Sequence, residues 1–427
     1  MAGRVQLATR GPQDAFFTDD PEYTYFIKNA KRHAPFATYT TDHDVTGDLE
    51  FGSTLRCVLP QNAGDLLKTV SFRIELAAIL PQPTPDQFGY TESIGHAMIE
   101  YVELFIGGLL IQRVPSDFFQ IHSEHYVTQT KQRNLEMLVG KPSEELSGTR
   151  VYGAQILASL VPATSPRTCI VDVPFYFYGN PELAVPLCAL TNQECELVVK
   201  LRPVQRCIVE TNADKSTIYE TTFAEKGLVK DFKVVTELVR LDLPERIKLQ
   251  STSTDYVITQ LQSDVSVIPE DQETVRRRLE FVNPVKELFI VVQRKDLFAS
   301  PFDYDHLQQI IGNRYINHEH VRHATLMLDG ETVLDETTGN VIHLRAVQSG
   351  IHHSRTQLFR RFYSYSFALE PERWYPTGQR NLSLVKDQLL GLSLNVPAPE
   401  RELRVYALGY NVLRIEDGTA RLLFNCY

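Results

Sequence analysis

Cysteine is sparse and badly spaced for chemistry: Cys57, Cys169, Cys188, Cys195, Cys207 and Cys426 form no CxxC pair. Zinc knuckles and dithiol redox centres therefore have no starting point, and scattered thiols suit a reducing compartment without disulfides. Long hydrophobic runs are missing too. Even Ile99 to Ile111 is broken by Glu100, Glu103 and Gly107-Gly108, short of the roughly 18 apolar residues a spanning helix needs. The start, Met1-Ala2-Gly3-Arg4, carries no apolar signal core, and Ala2 stands where myristoylation needs glycine. The expectation is a cytosolic protein whose sequon Asn381-Leu382-Ser383 carries no secretory glycan. Positive charge is in deficit, 43 Lys and Arg against 53 Asp and Glu, a net charge of −10, so direct nucleic-acid binding is not expected. The longest basic run, Arg276-Arg277-Arg278, sits beside Glu273 and Glu280 and reads as a solvated strand edge.

Catalytic signatures are absent as well. There is no phosphate-binding G-x-x-x-x-G-K-[ST], no G-x-G-x-x-G after a strand and no G-x-S-x-G elbow. Histidines gather at His318-Glu319-His320, His323 and His352-His353 without an H-E-x-x-H spacing. They read as a polar loop with exposed imidazoles; no metal and no cofactor is expected. His122 and His125 share a helix face with Phe118, Phe119, Ile121 and Tyr126, which reads as a helix packed across a sheet end. The chain is not expected to be an enzyme.

What the chain does have is strand. Leu66 to Leu80, Ile99 to Ile111, Thr168 to Tyr178, Cys195 to Leu201, Leu228 to Leu241, Tyr256 to Ile268, Leu279 to Val292 and Leu403 to Ile415 are strand-like. Val70, Phe72, Ile74 and Leu76 alternate with Ser71, Arg73 and Glu75, the period of a strand with one wet face. Turns are marked by Gly107-Gly108, Asp329-Gly330 and Asp417-Gly418. Helices are predicted only over Ser116 to Leu138, Pro181 to Leu190 and parts of 303 to 322, too few for βαβ units. The fold class is all-β, sandwich-like. Aromatic strands such as Phe175-Tyr176-Phe177-Tyr178 and Phe362-Tyr363-Ser364-Tyr365 read as core and subunit interface.

Two halves repeat a plan. Tyr101 to Gly108 parallels Ala324 to Gly330, Val173 to Phe177 parallels Tyr363 to Phe367, and Glu196 to Val199 parallels Glu402 to Val405. The polar stretch Ile208 to Glu225 marks the boundary. The division is an N-terminal arm over 1–24, a first domain over 25–212 and a second over 213–427.

Motifs then accumulate in order: Asp20-Pro21-Glu22-Tyr23-Thr24-Tyr25-Phe26, Lys31-Arg32-His33, Phe36-Ala37, Pro174-Phe175, Asn180-Pro181-Glu182-Leu183-Ala184-Val185-Pro186-Leu187, Asn283-Pro284-Val285, Tyr365-Ser366-Phe367-Ala368-Leu369, Pro376-Thr377-Gly378 and Val405-Tyr406-Ala407-Leu408. Through them the sequence resembles the major capsid proteins of nucleocytoplasmic large DNA viruses, such as phycodnaviruses and iridoviruses. The resemblance implies two consecutive eight-stranded antiparallel jelly rolls with short helices in loops. It also implies a homotrimer forming a pseudo-hexameric capsomer of an icosahedral capsid, assembled in the host cytoplasm. Partners so implied are neighbouring capsomers, minor capsid and penton proteins and, indirectly, an internal viral membrane. Phe16, Phe17, Tyr23, Tyr25, Phe26, Lys31, Arg32 and His33 are the candidate assembly contacts at the capsomer base. The alternatives are a paralogous minor capsid protein, a bicupin-like metalloenzyme, or a carbohydrate-binding sandwich using Trp374 and Tyr375.

Overall fold

The computed structural model describes all residues except 1, 10, 28–31, 80–86, 141–160, 163–164, 212–217, 220–226, 296–300, 303, 307, 312–313, 318, 355–360 and 425–427. It divides into Met1–Pro35 and Phe36–Tyr427. The first unit holds two short helices, α1 (Ala2–Ala8) and α2 (Pro12–Thr18).

The second unit carries two sets of eight strands. The first is β1 (Phe36–Asp44), β2 (Thr54–Leu59), β3 (Leu66–Leu76), β4 (Ile99–Ile106), β5 (Leu109–Pro115), β6 (Arg167–Asp172), β7 (Cys195–Leu201) and β8 (Val229–Leu241). The next is β9 (Thr254–Ile268), β10 (Thr274–Leu279), β11 (Pro284–Arg294), β12 (Val321–Leu328), β13 (Glu331–Leu334), β14 (Phe362–Ser366), β15 (Gln388–Leu394) and β16 (Arg401–Glu416). The first set pairs as β1-β8-β3-β6 and β2-β7-β4-β5. The second repeats that order as β9-β16-β11-β14 and β10-β15-β12-β13, with Arg380–Asn381 and Thr419–Leu422 added to its first sheet. Every pairing is antiparallel and each roll's last strand lies between its first and third. This is a double jelly roll.

Side-chain period explains the layers. In β3, Val70, Phe72, Ile74 and Leu76 are fully buried while Ser71, Arg73 and Glu75 face outward. The tight link from β4 to β5 uses Gly107 and Gly108 at φ of 58° and 79°. Its counterpart between β12 and β13 uses Asp329 and Gly330 at 52° and 83°. Both central residues of such a hairpin turn need positive φ, so glycine or aspartate stands there.

Several expectations change. Val229–Leu241 closes the first roll between β1 and β3, so the change of roll falls between Leu241 and Thr254 and not at 212/213. Ile208–Thr211 instead pairs with Gln87–Tyr90 in a small accessory sheet. Glu196 to Val199 lies in β7, whose counterpart is β15, whereas Glu402 to Val405 lies in β16, the counterpart of β8. The predicted helix over 116–138 is two, α3 (Ser116–His125) and α4 (Gln129–Leu138), because Thr128 is extended, with ψ of 148°. Pro181 to Leu190 forms two 3-10 turns, since Pro186 lacks the N–H a continuing helix requires. Within 303–322 there is a hairpin of Gln308–Ile311 with Arg314–Asn317, where β-branched and aromatic residues flank Gly312-Asn313 in the sequence. A further helix, α5 (Leu243–Ser251), links the rolls, capped by the Asp242 carboxylate accepting from the Leu243 N–H. No helix among the described residues is long and apolar enough to cross a membrane.

Candidate functional site: the junction of the rolls and the N-terminal arm

The two rolls meet where α3, carried by the loop after β5, covers the outer face of β11, β14 and β16. Phe118 lies edge-on to Phe289, with ring centres 6.3 Å apart. His125 packs against Phe289 and Phe362 at 5.7 and 5.4 Å. Gln260 in β9 donates to the Ile111 carbonyl in β5. One core therefore runs from the first roll onto Phe289, Val291, Tyr406 and Leu408. The opposite face of the same strands, Leu288, Ile290, Val292, Leu403 and Val405, packs the second roll's own core.

Charge is buried at this junction, with partners on both sides. Asp117 of α3 accepts from the Tyr304 and Tyr406 hydroxyls at 2.8 and 2.7 Å and pairs with Arg404 at 3.0 Å. Burial opposes the Arg404 charge, but Asp117, Tyr406, Tyr304 and Glu402 together hold the guanidinium above its ordinary pKa. Nearby, the fully buried Glu287 carboxylate meets His353 Nε2 at 2.6 Å and accepts from the Tyr126 hydroxyl at 3.1 Å. Burial disfavours the His353 imidazolium, yet Glu287 and Glu372 together raise it to about 9. His122 is driven down to about 4 by burial, and Lys286, donating to the Pro371 carbonyl, is lowered to about 8 by burial. A charge left without its partner here would cost far more than at the surface.

The histidines expected in an exposed loop are mostly buried. His320 and His353 are 0% and 7% exposed, the first drawn in at the start of β12 and the second held by Glu287, whereas His323 and His352 are half-buried; His318 lies outside the described residues. No group of three or more metal-ligating side chains occurs among the described residues. Five cysteines are free and buried; burial raises the Cys195 and Cys207 thiols to about 12. The aromatic runs lie largely in the core: Phe177, Phe362 and Tyr363 are fully buried, with Tyr178 and Tyr365 half-buried. Arg276 to Arg278 lie on the sheet-edge strand β10, Arg277 forming a two-point pair with Asp264. In the sequon, the Asn381 side chain accepts from the Ser383 N–H and the Ser383 hydroxyl accepts from the Asn283 N–H.

The arm holds the other candidates. Phe16, Phe17, Tyr23, Tyr25 and Phe26 are 67–95% exposed. Phe16 and Phe17 touch edge to face at 5.3 Å, and Tyr23 and Tyr25 at 5.1 Å with a 2.9 Å hydroxyl contact. Arg32 and His33 are exposed; Lys31 lies outside the described residues. Sequence reasoning missed the junction. Its one local signal was Lys286-Glu287 set within an apolar strand.

Comparison with known proteins adds the family. A model described as the major capsid protein N-terminus matches residues 24–242, and one described as the large eukaryotic DNA virus major capsid protein matches residues 245–421. The major capsid protein of Pyramimonas orientalis virus is 25% identical over 99% of both chains. The PBCV-1 virus capsid subunit superimposes with a TM-score of 0.75 and 21% identity, covering 94% of this chain and all of that one. The Faustovirus major capsid protein gives 0.73 at 12% identity, covering 97% and 96%.

Proposed function

Because the chain belongs to the major capsid proteins of large eukaryotic DNA viruses, structural subunits of the virion shell, we propose that three copies close head to tail into a capsomer of an icosahedral capsid. The observation that carries this is the junction. The loop after β5 covers the outer face of the second roll's first sheet. The loop after β13 holds the same place in the second roll and presents Ile342, Val347 and Ile351, 40–70% exposed. The outer face of β1-β8-β3-β6 holds the place of the covered sheet and carries the exposed Ile170. Repeating the contact between copies uses unlike surfaces, and a heterologous contact that closes makes a ring. Three copies give six rolls.

The arm completes the reading. Met1–Pro35 has exposed aromatics, including Phe16, Phe17 and Phe26, and no buried apolar side chain among its described residues, so it orders against a neighbour. Neighbouring capsomers, minor capsid and penton proteins at the shell base, over an internal membrane, are the partners supported by the resemblance, with assembly in the host cytoplasm.

Light scattering on the purified chain tests the ring. The expected mass is that of a trimer, lost in Ile351→Glu while the circular dichroism spectrum is kept. A stable monomer of the unaltered chain at micromolar concentration overturns the proposal. Removal of residues 1–24 is expected to spare folding and trimerisation and to weaken particle assembly.

A further inference from the structure

A second buried histidine site lies at the end of the second roll, in a segment tied to the junction through Tyr304, which donates to Asp117. His320 immediately precedes β12 and is 0% exposed; His306, 2% exposed, meets it edge-on at 5.3 Å. The groups that face this pair are cationic. Arg401, at the start of β16, is fully buried and donates to the Asn395 and Gln272 carbonyls, with Asp271 acting on its charge. Arg294, at the end of β11, donates to the His306 carbonyl at 3.3 Å. The neighbouring carboxylates are engaged elsewhere: Asp305 with Arg361 at 2.7 Å, and Glu319 with Arg345, Arg361 and the Tyr363 hydroxyl. The Asp305 backbone is the one contact that favours a proton on His320.

We infer that this corner is an acid-released latch: the unprotonated His320 imidazole, packed on His306, holds residues 304–306 against the ends of β11, β12 and β16, and acid opens the contact so that His320 can take up a proton. Burial first, then His306, Arg401 and Arg294, hold His320 down to about 2. The closed form therefore stays unprotonated at any ordinary pH, whereas an opened corner regains a value of roughly 6.5. A group depressed in the closed state favours opening as pH falls below its open-state value. From pH 7.5 to 5.0 that multiplies the opening equilibrium by roughly 30-fold for one histidine. The inference rests on the fold alone and not on the ring of three copies. Its consequence is a shell subunit that is closed at neutral pH and loosened in an acidified compartment.

Hydrogen exchange read by mass spectrometry on the full chain tests it, with rates corrected for the intrinsic effect of pH. Peptides covering 301–306 and 319–323 are expected to exchange roughly 30-fold faster at pH 5.0 than at 7.5. His320→Phe, which cannot titrate, is expected to abolish that rise; should it fail to fold, His320→Gln is read in the same way. Equal protection at both pH values, or an acid response that survives in a folded His320 variant, overturns the latch.

Discussion

β3 and β11 hold the same place in the two rolls, third in chain order and beside the closing strand, yet one is wet on its outer face and the other is dry. In β3 the alternation is complete from Val70 to Leu76, and Arg73 outside pairs with Asp42 at 2.8 Å in partial solvent. In β11 every residue from Val285 to Gln293 is buried. Topology thus leaves open what the outer face of a sheet will meet; the residues on the odd positions decide it. Phe289 and Val291 invite a covering helix, and Glu287, placed among them, obliges that cover to bring His353 and Tyr126.

Removing a charge from the dry face is the severest way to break this contrast. Asp117→Ala takes from Arg404 its buried carboxylate and from two tyrosine hydroxyls their acceptor, and is expected to cost roughly 3–5 kcal/mol in denaturant unfolding. Phe289→Ala opens a cavity under α3 and is expected to cost about 3 kcal/mol by the same measurement, with the midpoint moving more than the slope. The pH profile sharpens the comparison further. His353 is raised, so its contribution is complete below about 6.5 and lost as pH climbs through about 9. His122 is depressed, so its penalty appears as pH falls from about 6.5 towards about 4. The junction should be tightest near pH 6.5, and a melting-temperature series should peak there; His353→Gln is expected to flatten the alkaline limb. Least affected is the wet face: within one copy Asp42→Ala leaves Arg73 at a partly solvated surface and is expected to shift stability by less than about 1 kcal/mol. A loss as large as that of Asp117→Ala would erase the distinction between the two faces.

Much of the fold was legible because strands with one wet face write their period into the chain, as Val70 to Leu76 does. The repeat from Tyr101 to Gly108 onto Ala324 to Gly330 also fell correctly, since a hairpin turn with two positive φ values constrains residue type locally. Local likeness failed where position within the sheet mattered. Glu196 to Val199 and Glu402 to Val405 look alike, yet they occupy different strands of the plan, and pairing partners leave no mark on a strand's own residues. The polar stretch Ile208 to Glu225 likewise suggests a boundary that leaves the first roll's closing strand, Val229–Leu241, in the second domain. The junction was illegible because its contacts join residues as much as 289 positions apart. Asp117 in its helix looks like any acidic residue of a first turn.

The closing strands have a bearing on synthesis. β8 lies between β1 and β3, and β16 between β9 and β11, so the last strand made enters the middle of a sheet. Until about residue 241 has left the ribosome, β1 and β3 each offer a bare edge with no partner between them. At roughly 5–20 residues per second that interval lasts roughly ten to thirty seconds, during which the open edges can recruit another nascent chain. A polypeptide released early would not fray at a margin; it would have a missing centre.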